Sequence, residues 1–114
     1  MTERRVYALD LVEDAGLIAA YEARHAPGAV WPQVIAEIRQ RGFLSMEIWR
    51  LDTRLVMIAE VAADFPRPVQ ADLSEAASAW EAEMDAYQRP LRPDGPKWTP
   101  MARMFTLESD QAPA

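Results

Sequence analysis

Two strand-like runs in the middle of the chain constrain the fold most. The first is FLSMEIWRL at residues 43–51, and the second is RLVMIAEVA at residues 54–62. Both runs are rich in the residues that favour β-strands, and only the polar pair Asp52-Thr53 separates them. Because so short a polar link suits a tight turn, the sequence predicts a β-hairpin here.

Helical spacing flanks the hairpin on both sides. Asp14 can cap a helix that ends near His25 at a Pro-Gly break, and a second helix with Pro32 in its first turn ends before Gly42. After the hairpin, apolar residues at steps of four and three predict a helix over residues 73–88. The other predicted elements are a strand at 4–11, a loop at 63–70, a proline-rich loop at 89–100 and a last strand, MARMFTL, at 101–107.

The predicted order of elements is β, broken α, β, β, α, β, which is the order of the ferredoxin-like α+β fold. In that fold a four-stranded antiparallel sheet carries both helices on one face. We expect residues 1–108 to form this single domain and residues 109–114 to be a disordered C-terminal tail. Since the run at 54–62 is apolar on both faces, we expect a second copy to cover the helix-free face, giving a homodimer in the form of a dimeric α/β barrel.

Composition excludes several classes of function. The 114 residues include twelve basic and eighteen acidic side chains, a formal net charge of −6. This acidity argues against nucleic acid or an anionic membrane surface as the main partner, because both require a basic face, and we expect neither as a partner. The chain has no cysteine, which excludes disulfides, thiolate nucleophiles and cysteine metal sites. No apolar run approaches the ~18 residues of a membrane span, so we expect a soluble, cytoplasmic protein.

The sequence also lacks the residues and motifs that metal and cofactor sites usually need. One histidine and no cysteine leave only a carboxylate metal site, and no helix has the clustered spacing that such a site needs. The four glycines form no dinucleotide-binding or phosphate-binding loop. We therefore predict no metal and no cofactor.

The best candidate for chemistry is His25, the single histidine of the chain. Histidine is the side chain that most readily donates and accepts protons near neutral pH. Tyr21 lies one turn earlier on the same helix face, while Trp98 lies in the proline-rich loop. Aromatic faces suit the apolar C–H face of a sugar. The alternatives are structural: His25 as a helix cap, and Tyr21 and Trp80 as core residues.

A set of ordered motifs resembles the L-rhamnose mutarotase family over residues 5–107. The motifs are Tyr21-x-x-x-His25, Trp31-Pro32, MEIWR at 46–50, VMIAEV at 56–61, WEAEM at 80–84 and KWTPMARMFTL at 97–107. The resemblance implies a dimeric ferredoxin-like barrel that binds a monosaccharide and needs no cofactor. It also implies the reaction, which is interconversion of the α and β anomers of a 6-deoxyhexose.

The resemblance also implies roles for individual residues. His25 corresponds to the family's general acid, Tyr21 to a sugar-contacting tyrosine and Trp80 to a sugar-binding tryptophan. Two positions depart from the pattern of rhamnose-specific members, because Ala79 replaces a second tryptophan and Met46 replaces a tyrosine. Both departures fall in the sugar site, so L-rhamnose and L-fucose remain alternative substrates.

The expected chemistry is acid–base opening and closing of the sugar ring. His25 could protonate the ring oxygen, with Tyr21 or Glu47 taking or relaying the other proton, while Trp80 or Trp98 stacks on the ring. Two other classes of function stay open from the residues alone. These are a cofactor-free dimeric ferredoxin-like monooxygenase and a non-catalytic module for small-molecule binding or oligomerisation.

Overall fold

One antiparallel sheet with helices on one face forms the body of the protein. The computed structural model describes residues 2–110. The elements are β1 (Thr2–Leu11), α1 (Ala15–Arg24), α2 (Pro32–Arg41), β2 (Phe43–Leu51), β3 (Arg54–Ala62), α3 (Ala71–Met84), β4 (Gln88–Arg89), β5 (Thr99–Pro100) and α4 (Leu107–Asp110). The sheet order is β2-β3-β1-β4, and β5 also pairs with β1. The predicted α+β class is confirmed.

The central hairpin forms as the sequence predicts. Strands β2 and β3 pair antiparallel up to Leu51 and Arg54, and Asp52 in the turn has a positive φ of 52°. Aspartate tolerates this left-handed conformation better than most residues. The pairing also contains a bulge between Phe43 and Ser45, which alternation alone does not reveal.

Local capping signals set the ends of the first two helices. The side chain of Asp14 accepts a hydrogen bond of 2.9 Å from the backbone N–H of Leu17, which satisfies one of the free donors at the start of α1. Pro32 occupies the first turn of α2, and Gly42 ends that helix with a φ of 114°. Glycine suits this position because it has no Cβ to clash in the left-handed region.

The helices cover one face of the sheet. Leu9 of β1 lies opposite Leu55 of β3, and both are fully buried beneath the helices. The main core cluster consists of Leu9, Leu11, Tyr21, Val34, Leu55, Trp80 and Met84. Since α1, α2 and α3 all contribute to it, this cluster fixes the position of each helix over the sheet.

The opposite face of the sheet remains open in the single chain. Trp49 and Leu51, at the end of β2, are 62% and 75% exposed. Because side chains alternate along a strand, these two point away from the helices. The half-buried Val56 and Ile58 of β3 lie on the same helix-free face. This apolar, helix-free surface is the feature on which the dimer prediction depends.

Two sequence predictions fail near the C-terminus. The third helix ends at Met84 rather than at residue 88, because residues 85–87 turn the chain so that Gln88 and Arg89 can pair with β1. The predicted last strand at residues 101–107 is wrong. The edge of β1 is instead occupied by the short strands β4 and β5. Beyond them, Met101 N–H still bonds to Val6 at 2.8 Å, but the chain then leaves the sheet.

The apolar pattern that suggested the last strand is not packed within this chain. Met104 is 95% exposed and Phe105 is 57% exposed, so neither side chain contributes to the core that would hold a strand in place. Residues 107–110 form a short helix. Residues 111–114 of the predicted disordered tail lie outside the described residues.

Candidate active site

A cavity of about 740 Å³ lies between the helices and the helix-facing side of the sheet. Its size falls within the range of roughly 300–1,000 Å³ that is usual for small-molecule sites. The residues that line it include Tyr21, His25, Met46, Trp80, Gln88 and Trp98.

His25 is the C-cap of α1, and its ring is held in a fixed orientation. The Nδ1 atom lies 2.8 Å from the backbone oxygen of Tyr21. Because a carbonyl oxygen can only accept, Nδ1 must carry a hydrogen and donate it. The ring centroid also lies 4.3 Å from that of Tyr21 and 5.6 Å from that of Trp80. In the neutral ring, Nε2 therefore carries the lone pair that can take up a proton.

Tyr21 is buried, and its hydroxyl accepts a hydrogen bond of 3.1 Å from Nε2 of Gln88. Burial raises the pKa of Tyr21 above its ordinary value, the hydrogen bond from Gln88 lowers it, and the charge of Glu81 raises it further. The net effect is an increase. Tyr21 is therefore a neutral phenol at neutral pH, and its hydroxyl proton is available for donation to a ligand.

Trp80 belongs both to the core and to the wall of the cavity. Its side chain is 5% exposed and packs edge-on against Trp31 at a centroid distance of 5.1 Å. The guanidinium of Arg24 lies 5.0 Å from the ring centroid and is itself bonded to Glu83 at 3.0 Å. The structural and sugar-binding interpretations of Trp80 are therefore compatible.

Trp98 reaches the cavity because the preceding residue fastens the proline-rich loop to α3. The Nζ atom of Lys97 lies 2.6 Å from Oε2 of Glu81 and 2.7 Å from Oδ1 of Asp85. It also donates to the backbone oxygen of Glu81 at 3.2 Å. Partial burial lowers the pKa of Lys97, but the bonds to Asp85 and Glu81 outweigh this effect and raise it. We call this arrangement of Lys97, Glu81 and Asp85 the lysine clamp.

The two candidates on β2 lie on opposite faces of the sheet. Met46 is opposite Ala59 and lines the cavity, whereas the next residue, Glu47, is opposite Ile58 on the helix-free face. Within one chain the sheet thus separates Glu47 from His25. Of the predicted site residues, the structure brings together Tyr21, His25, Met46, Trp80 and Trp98, and it leaves Glu47 apart.

Sequence reasoning missed Gln88 and the lysine clamp. The predicted helix ran through residue 88 and hid Gln88, although Pro90 just beyond was a signal that the helix could end earlier. The i, i+4 spacing of Glu81 and Asp85 was a usable sign that one cation could bridge both side chains.

The described part of the chain shows neither a metal-binding cluster nor a membrane-spanning helix. Among residues 2–110, no group of three or more His, Cys, Asp or Glu side chains is placed to hold a metal ion. None of the helices in the same range has the length and apolarity needed to cross a membrane.

Comparison with known proteins identifies the family. The family model described as L-rhamnose mutarotase matches residues 4–107. The chain belongs to the L-rhamnose mutarotase family. This membership confirms the resemblance, the mutarotase function and the class of isomerases acting on carbohydrates that the sequence predicted.

Individual relatives agree with this membership. A protein named L-fucose mutarotase from Xanthomonas campestris pv. campestris is 41% identical over 110 residues, covering 92% of this chain and 88% of the relative. A UPF0734 protein from Dictyostelium discoideum is 32% identical, covering 89% and 86%. The crystal structure of an L-rhamnose mutarotase from Formosa agariphila superposes with a TM-score of 0.68 at 21% identity, covering 91% of this chain and 97% of the other. That likeness supports the fold.

Proposed function

We propose that this mutarotase acts on L-fucose in preference to L-rhamnose, with His25 and Tyr21 as its catalytic pair. The observation that carries the catalytic assignment is the position of His25 in the cavity wall. Its Nδ1 is anchored 2.8 Å from the backbone oxygen of Tyr21, so Nε2 is the nitrogen left for proton transfer. Support for L-fucose comes from the relative named L-fucose mutarotase, which is 41% identical to this chain.

One imidazole nitrogen is sufficient for the reaction. Neutral Nε2 of His25 accepts the proton of the anomeric hydroxyl, the bond between the anomeric carbon and the ring oxygen breaks, and that oxygen receives the proton. The anomeric hydroxyl oxygen becomes the aldehyde oxygen. Both sugar oxygens are attached to the same carbon, so the proton travels a short distance. Rotation of the aldehyde followed by the reverse steps gives the other anomer.

Tyr21 assists as a hydrogen-bond donor rather than as a base. Its raised pKa keeps the phenol protonated, so it can stabilise negative charge that develops on a sugar oxygen during ring opening. This role differs from the expectation that Tyr21 or Glu47 takes or relays the second proton. Positioned acid–base groups typically contribute about 10²–10⁴ in rate.

We also propose that the working form is a homodimer. The support is the helix-free sheet face, on which Trp49 and Leu51 are strongly exposed. Packing against the same face of a second copy would remove these side chains from water. The cytoplasmic location expected from the sequence stays a prediction.

Saturation-transfer NMR at the anomeric protons tests the proposed reaction directly. Transfer between the α and β signals of L-fucose should increase on addition of the protein, and more strongly than for L-rhamnose at equal concentration. D-glucose serves as a control sugar that carries a hydroxyl on its sixth carbon. Equal acceleration of all three sugars would contradict the preference for L-fucose, and no acceleration of any would contradict the reaction.

A further inference from the structure

Gln88 is a polar side chain of the cavity to which the proposed chemistry assigns no role. It lies in β4 opposite Leu11, is only 8% exposed and lines the cavity. Its Nε2 donates to the hydroxyl of Tyr21 at 3.1 Å. Its Oε1 is buried and has no hydrogen-bond partner among the described residues.

An unpaired buried amide oxygen destabilises a protein, and most buried polar atoms have a partner. With the amide nitrogen bonded to Tyr21, the oxygen is the atom left without a partner among the described residues. A ligand that brings a hydroxyl into the cavity would satisfy it. Gln88 is thus a polar group placed for a partner that comes from outside the chain.

The pairing of Gln88 with Tyr21 defines what that partner must offer. Nε2–H of Gln88 occupies a lone pair of the Tyr21 hydroxyl, so the proton of this hydroxyl remains available to a ligand. The cavity therefore presents a donor on Tyr21 beside an acceptor on Gln88. A sugar hydroxyl both accepts and donates, so this pair is complementary to one hydroxyl or to two neighbouring hydroxyls of a pyranose.

We propose that Gln88 is a specificity-determining residue, whose Oε1 accepts a hydrogen bond from one ring hydroxyl of the sugar while Nε2 holds Tyr21 in place. This inference rests on the proposed function. A site built to bind a hydroxyl discriminates strongly against an analogue that lacks it, because the buried polar group is then left unpaired. Gln88 would thus select sugars by the presence and configuration of one hydroxyl.

Binding of monodeoxy analogues of L-fucose to the unaltered protein and to Gln88→Met tests this role. Dissociation constants measured by titration should show that removing one particular hydroxyl weakens binding by about tenfold or more in the unaltered protein. The same deletion should have little effect in Gln88→Met, which already lacks the acceptor. Gln33→Met, at an exposed position of α2, is the matched control and should keep the discrimination.

The melting temperature of the free variants separates this role from a structural one. Gln88→Met removes an unpaired oxygen along with one hydrogen bond, so it should melt close to the unaltered protein. A Gln88→Met protein that melts far lower and discriminates normally would overturn the inference, as would an unaltered protein that binds every monodeoxy analogue as tightly as L-fucose. Failure of the unaltered protein to bind any sugar would contradict the proposed function and this inference together.

Discussion

At the scale of single residues, His25 has the most decisive role. His25→Ala should lower anomer exchange by about 10²-fold or more, because a proton-transfer group acts mainly in the transition state. Sugar affinity should change little. Exchange NMR and equilibrium titration of the same sample measure the two quantities separately. Full activity of the variant would reduce His25 to a helix cap.

Tyr21 should show its burial in an alkaline titration. The chain has three tyrosines, and burial raises the pKa of Tyr21 above its ordinary value of 10.0. The folded state therefore favours the neutral phenol. The contribution of the Tyr21 phenol to the stability of the fold is complete below pH 10.0 and is lost as the pH rises through the raised pKa of Tyr21. Ultraviolet absorbance should show a phenol titration above pH 10.0 that disappears in Tyr21→Phe; a titration in that range that persists unchanged in Tyr21→Phe would contradict this assignment.

Trp80 should affect both stability and binding. Its ring is buried among Trp31, His25 and Arg24, so Trp80→Ala should cost about 3–5 kcal/mol of unfolding free energy. Because the ring also lines the cavity, sugar affinity should fall. Trp80→Phe keeps an aromatic ring and should recover most of the stability. Thermal melting beside sugar titration gives both values, and a Trp80→Ala protein with normal affinity would exclude Trp80 from sugar binding.

At the scale of elements, predictions succeeded where the signal was local. Asp14, Gly42 and the Asp52-Thr53 turn each act through their own neighbours in the chain, so the sequence alone locates α1, α2 and the hairpin. The pairing of β4 and β5 with β1 depends on residues far apart in sequence. No local pattern could distinguish it from a continuous last strand.

The same distinction explains which candidate site residues the cavity brings together. His25 and Tyr21 lie one turn apart on a single helix, where sequence spacing fixes geometry. Glu47 depends instead on the bulge between Phe43 and Ser45. Without that extra residue, simple alternation from Phe43 would place Glu47 on the helix side; with it, Met46 faces the cavity. A shift of one residue exchanges the two faces of a strand.

The lysine clamp should hold the proline-rich loop over the cavity. Lys97→Met removes the cation between Glu81 and Asp85, so amide hydrogen exchange at residues 91–98 should accelerate and sugar affinity should fall. Because the pKa of Lys97 is raised, the stabilisation that the charged clamp provides is complete below pH 10.5. It is lost as the pH rises through the raised pKa of Lys97. Arg92→Met, at an exposed position of the same loop, should leave exchange and affinity unchanged. Equal exchange rates in all three proteins would show that the clamp does not order the loop.

At the scale of the whole molecule, the open sheet face predicts association. The protein should elute at about twice its chain mass of 12.9 kDa, because a second copy can cover Trp49 and Leu51. Leu51→Glu places a charge on that face and should shift the protein towards monomer. Glu75→Lys, on the exposed side of α3, should not. Light scattering coupled to gel filtration measures the mass, and a stable monomer at micromolar concentration would rule out the proposed packing.

The two short edge strands have a consequence for engineering. β4 pairs with Asp10 and Leu11, and β5 pairs with Tyr7 and Ala8, so both ends of the intervening loop are fixed to neighbouring positions of one strand. The entropy of closing such a loop grows only slowly with its length, by about 0.6 kcal/mol for each doubling. Grafting extra residues at the exposed tip around Asp94 should therefore leave the pairing of β4 and β5 with β1 intact, which makes this loop the place where a foreign binding segment could be added at least cost.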